Sequence, residues 1–144
     1  MNETNNIIPI LELKEVHSIN VCLNESEITQ IRDIIQKLNV KYIYKVLVLS
    51  AFMYDCNPND VLKYDNKSAN TKDRKRININ HARYLWINLL LNVGFLSSKD
   101  VCEVLELESY QINHIIAKFK EKAVFGTLLF DKYNAAKEIL LSIE

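Results

Sequence analysis

At 144 residues, with 49% hydrophobic and 25% charged side chains, the chain is long enough to bury a core without a disulfide or metal staple. Eighteen basic residues balance eighteen acidic ones, which excludes a protein that coats nucleic acid by bulk charge. Two glycines and two prolines leave little material for hairpins or linkers, so the expected fold class is all-α, a multi-helix domain.

The first 23 residues read as a partly extended N-terminal extension, and residues 24–144 as a single helical domain. The opening MNETNNIIPILELKE is acidic and polar and lacks the charged and apolar regions of a signal peptide. Residues 17–23 (HSINVCL) alternate Ile19, Val21 and Leu23 as a short strand or extended arm would. Asn24-Glu25-Ser26-Glu27 then starts a helix through Leu38, with Ile28, Ile31, Ile34, Ile35 and Leu38 on one face, and Asn39 breaks it. The next helix, Val40 to Met53, is apolar almost all round and belongs at the centre of the core or in an interface. Lys41 and Lys45 interrupt it, so no membrane span is expected.

NPNDVL (57–62) opens a short helix with Pro58 at its first position, and a polar, basic loop runs from Lys63 to Arg76. In ININHARYLWINLLLNVG, Ile79, Ala82, Leu85, Trp86, Leu89, Leu90 and Val93 recur three or four residues apart, as a helix buried on one broad face requires. Gly94 is expected to close it in the left-handed cap conformation. Ser97 with Asp100 forms an acidic variant of the capping box, starting a helix that buries Val101, Val104 and Leu105. A further helix begins near Glu108 or Ser109 and buries Ile112, Ile115, Ile116 and Phe119. With only Leu107 and a residue or two between them, the pair suits a helix-turn-helix corner at about 97–122. Val124 to Phe130 is a hydrophobic join before the last helix, either core packing or an exposed partner surface.

These residues carry a resemblance. The run from Ala51 to the C-terminus resembles the C-terminal DNA-binding domain of DnaA, the bacterial chromosomal replication initiator, whose fold is related to that of the Trp repressor. Asp60-Val61-Leu62 stands where that family ends a short helix in Asp-(Leu/Ile)-Leu, Lys72 to Arg76 where it has a basic loop, and His81-Ala82-Arg83 where it enters a long helix. Ser97-Ser98-Lys99-Asp100-Val101 matches its Leu-Ser-x-x-Glu-Ile type start. The family reads bases with Arg/Lys-Asp-His-(Ser/Thr)-Thr-Val, and this chain has Leu107-Glu108-Ser109-Tyr110-Gln111-Ile112 there, followed by His114. The resemblance therefore implies the architecture of residues 51–144 without the origin-box specificity. The family's nucleotide-binding module is not present in this sequence, and two glycines cannot build a Gly-rich phosphate loop.

The first functional expectation is a DNA-binding helix-turn-helix protein linked to replication or transcription control, with double-stranded DNA as partner. Lys72, Arg74, Lys75 and Arg76 would hold phosphates, since basic residues outnumber acids by about four between Asp60 and Arg83. Arg83 would approach the adjacent backbone or minor groove, or instead pair with a surface acid. Ser109, Tyr110, Gln111, Asn113, His114 and Lys118 would face the groove, where Gln and Asn can each pair bidentately with adenine. The alternative is a DnaA-like domain without DNA binding that serves as a protein-interaction module or homo-oligomer, favoured by the negative charge of Glu103, Glu106 and Glu108 around the turn. Cys22, Cys56 and Cys102 lack paired spacing and read as reduced core thiols of a cytoplasmic protein. His17, His81 and His114 share no spacing with acids or cysteines, so no catalyst, metal site or cofactor is expected. Frequent Asn, Ile, Lys and Tyr suggest an AT-rich bacterial or phage genome.

Overall fold

A computed structural model describes residues 24–63, 74–94 and 96–143, and within them the chain forms seven helices and no strand. The arm expected over 17–23, and with it Cys22 and His17, lies outside the described residues, as does the loop residue Lys72.

Helix α1 (Glu25–Lys37) opens on a capping box, in which Asn24 Oδ1 accepts from the Glu27 amide at 2.8 Å and Glu27 Oε1 from the Asn24 amide at 3.0 Å. Its Ile31 and Ile35 are fully buried, with Ile28, Ile34 and Leu38 packed beside them. Helix α2 (Tyr42–Met53) buries Val46 through Ala51 without a gap, as its all-round apolar sequence requires. Ser50 lies inside that run and satisfies its hydroxyl by donating to Val46 O at 2.9 Å. Helix α3 (Pro58–Leu62) is capped by the Asn57 side chain, which accepts from the Asn59 amide at 2.9 Å.

Helix α4 (Arg74–Asn92) is the longest and packs against α2, α3, α5, α6 and α7. It starts earlier than the sequence pattern implies: Arg74, Lys75 and Arg76, expected in a basic loop, form its first turn. No glycine or proline interrupts RKRININHAR, so nothing stops the helix from extending backward beyond its apolar stretch. Ala82, Leu85, Trp86, Ile87, Leu89 and Leu90 are buried against α2 and its neighbours.

Gly94 is needed for a different reason from the one expected. Its φ is not positive; instead, a Cβ there would lie 2.8 Å from Leu90 O and 3.2 Å from the Tyr42 ring. Close approach to the Leu90 carbonyl of α4 itself, tightened by the Tyr42 ring of α2, selects glycine rather than a left-handed cap.

Helix α5 (Ser98–Leu105) has the expected cap, the Asp100 amide donating to Ser97 Oγ at 3.1 Å. Val101 is buried, but Val104, expected inside, is 50% exposed and Leu105 only half-buried. An eight-residue helix packed against α4 and α6 has a single wall to cover it. A turn of Glu106, Leu107 and Glu108, with Glu106 in the left-handed region at φ 55°, leads into α6 (Ser109–Lys122). Ile112, Ile115 and Phe119 of α6 are buried and Ile116 is half-buried. After Gly126, at φ 91°, α7 (Leu128–Leu141) returns along α1, α2 and α4.

Gly94→Ala is expected to lower stability by about 1–3 kcal/mol, the range for forcing atoms into a filled site. A fall in urea midpoint at unchanged slope would register it. An unchanged midpoint would mean that the end of α4 yields to the methyl group.

Candidate nucleic-acid interface

Burial of Ile112, Ile115 and Phe119 fixes the rotation of α6 and so decides which side chains face outward. Ser109, Tyr110, Asn113, His114, Ala117 and Lys120 are exposed, recurring every three or four residues as one stripe. Four of the residues predicted to meet base edges, Ser109, Tyr110, Asn113 and His114, are thus brought together on one accessible face. Gln111 is not equivalent to them. It is half-buried, and its Oε1 accepts from the Glu108 amide at 2.7 Å, closing the first turn of α6. A bidentate pair with adenine uses both ends of the amide, so Gln111 would have to give up this cap to make one. Lys118 is half-buried beside Glu121, 3.9 Å away, a long and weak ion pair.

Arg74 and Lys75 are exposed and Arg76 is half-buried, all on the first turn of α4. No acid shares that turn. The helix dipole already makes an N-terminus positive, so the exposed Arg74 and Lys75 add to a local positive potential.

Arg83 does not face a groove. It is 4% exposed; its Nε donates to Val61 O at 3.1 Å and its Nη2 to Asp60 O at 3.4 Å and Lys63 O at 2.5 Å. The physical reason is the brevity of α3. A five-residue helix leaves its final carbonyls without intrahelical donors, and the planar guanidinium supplies several at once. Arg83 is a structural clasp between α3 and α4, and its assignment to DNA is corrected accordingly.

Charge is divided along α6. Leading into its start stand the exposed carboxylates Glu103, Glu106 and Glu108. Its last two turns carry Lys118, Lys120 and Lys122. A phosphate approaching the start of α6 would meet repulsion, and one approaching its end would not.

A buried polar group at the junction of α2, α4 and α7 escaped the sequence reading. Lys132 is 5% exposed; its Nζ donates to Met53 O, at the end of α2, and lies 3.8 Å from the centroid of the Tyr54 ring. Burial pulls its pKa down to about 8, a shift that the nearby Cys56 partly opposes. Cys56 donates its thiol to Tyr54 O at 3.3 Å, and burial, helped by Asp55 and Asp60, pushes its pKa up to about 11. That direction is opposite to what an activated nucleophile needs. The Tyr54 hydroxyl is buried without a hydrogen-bond partner among the described residues, and its ring meets His81 edge-on at 5.6 Å. One signal in the sequence could have found this cluster: Lys132 sits three residues after Leu129 and four before Ala136, on the apolar stripe of α7.

Compared with known proteins, the chain matches no protein-family model, no curated protein and no solved structure. Among the described residues, no helix is long and apolar enough to cross a membrane.

Arg83→Met is expected to destabilise the fold by about 2–3 kcal/mol, because it leaves buried carbonyls without their charged donor. Chemical denaturation measures the loss as a fall in midpoint. A second expectation concerns His81, whose pKa is lowered by burial and then by Lys122 and Lys132. The unfolded chain takes up a proton near pH 6.5 while the folded chain resists it, so stability present above that pH is lost as pH falls through the folded value. Thermal melting from pH 7.5 down to 5 should show a decline that His81→Gln flattens.

Proposed function

We propose that this chain is a cytoplasmic, helix-turn-helix DNA-binding protein, of the architecture that the C-terminal domain of DnaA shares with the Trp repressor, acting in replication or transcription control. The observation that carries this reading is the cationic first turn of α4. Arg74, Lys75 and Arg76 follow one another where the peptide dipole is already positive, and the exposed Arg74 and Lys75 offer that charge to an approaching phosphate. Supporting it is the corner from α5 to α6: a short helix, a three-residue turn entered through a left-handed Glu106, and a longer helix with a polar outward stripe. In this reading Ser109, Tyr110, Asn113 and His114 approach base edges. Arg74, Lys75 and Arg76, together with Lys72, hold the backbone, and Lys118 and its neighbours on α6 add positive charge.

A second reading is favoured by two observations. Phe125, in the loop between α6 and α7, is 89% exposed beside the exposed Val124 and Leu128, and the acids at the start of α6 repel a duplex. A domain of this shape that binds a protein rather than DNA would carry both features.

Fluorescence anisotropy of labelled random and AT-rich duplexes at two salt concentrations separates the readings. On the DNA reading, binding weakens steeply with salt, and a variant with Lys72, Arg74, Lys75 and Arg76 changed to Ala loses about 0.9 of the salt slope per phosphate contact removed. Changing Glu103, Glu106 and Glu108 to Gln should tighten the complex. No binding at low salt by either the wild type or the Gln variant sinks the DNA reading.

A further inference from the structure

Of the large hydrophobic side chains left exposed, five belong to the two ends of α6: Val104 and Tyr110 flank the corner at its start, and Val124, Phe125 and Leu128 follow its end. The two ends carry opposite charge. At the corner, the exposed carboxylates Glu103, Glu106 and Glu108 stand next in sequence to the apolar pair, and no cation lies between Glu103 and Tyr110. At the Phe125 end, the exposed Lys120 and Lys122 close the last turn of α6, while Lys118 is paired with Glu121 and Asp131 lies in the first turn of α7. Each end therefore presents apolar surface within a charged rim, and each rim is the complement of the other.

We propose that copies of this chain associate head to tail, the Phe125 loop of one seating on the acidic corner of the next. The two surfaces cannot cover each other within one molecule, because the fourteen residues of α6 hold them about 20 Å apart. In the loop, a side chain added at Gly126, at φ 91°, would meet nothing within 4 Å, and the exposed Phe125 ring stands edge-on to Phe130 at 5.6 Å. A net charge of zero removes the long-range repulsion that would keep copies apart. A patch that pairs with a different patch on an identical partner generates open chains rather than closed dimers. Tyr110 belongs to this surface and to the outward stripe of α6, so a copy seated on the corner would exclude a duplex from the same place.

Sedimentation velocity without DNA tests the association, so its failure is distinguishable from failure of the DNA reading. The average mass of the wild type should rise with protein concentration and fall as salt is added. Phe125→Ser removes the tip and Glu103→Lys with Glu106→Lys reverses the corner; each variant alone should stay monomeric. All three positions are exposed, so thermal melts should match the wild type, and Lys120→Glu with Lys122→Glu serves as a second tip-side variant. An equimolar mixture of F125S and E103K/E106K retains one intact tip and one intact corner, and should form a one-to-one heterodimer and nothing longer. A wild type that stays monomeric at every concentration, a variant that still assembles, or a mixture that stays monomeric would each overturn the proposal.

Discussion

The indole N–H of Trp86, donated to Ile43 O at 3.0 Å, pins the middle of α4 to the first turn of α2, and the rest of the fold is arranged around that pair. Both helices are apolar around most of their circumference, a condition a helix satisfies only when neighbours cover several sides. Here α1, α3 and α7 close around α2, while α3, α5, α6 and α7 close around α4. Trp86 can sit at 2% exposure because its one polar atom has a partner; without it, the bulkiest core side chain would bury an unsatisfied donor.

The same logic governs the buried Arg83 and Lys132 and the half-buried Lys45. Short helices joined by tight turns leave many terminal carbonyls, and long cationic side chains from neighbouring helices reach them. Arg83 serves the end of α3, Lys132 serves Met53 at the end of α2, and Lys45 donates to Gln36 O at 2.8 Å near the end of α1. Cations that would otherwise be candidates for nucleic acid are in this way used inside the protein. The polar cluster of Lys132, Tyr54, Cys56 and His81 follows from one such clasp, and burial sets the direction of every shifted group in it.

Both proposed roles use α6, whose inward face is settled by Ile112, Ile115 and Phe119 and whose ends differ in charge. The DNA reading draws on the outward stripe and on the cations of α4. The self-association proposal draws on the apolar tips within their charged rims. The acids at the corner are the point on which the two diverge, since they are a liability beside phosphate and an asset beside lysine.

Much of this architecture was legible in the sequence by itself. Helical class, the bounds of α1, α2, α3, α5 and α6 to within a few residues, the Asn24 and Ser97 caps and the burial of Trp86 follow from periodicity and capping chemistry, which act over a single turn of chain, whereas α7 takes in Leu128 to Phe130, expected in the join before it. The start of α4 at Arg74 was not legible, because the end of an apolar stripe does not mark the end of a helix when no breaker follows. Nor were the destinations of Gly94, Arg83, Val104 and Lys132. Whether a glycine meets another helix, an arginine meets orphan carbonyls, a valine finds a wall or a lysine falls inside depends on which elements arrive from elsewhere in the chain. Those arrivals bring together residues more than twenty positions apart, as Arg83 and Val61 are, and only the tertiary structure decides them.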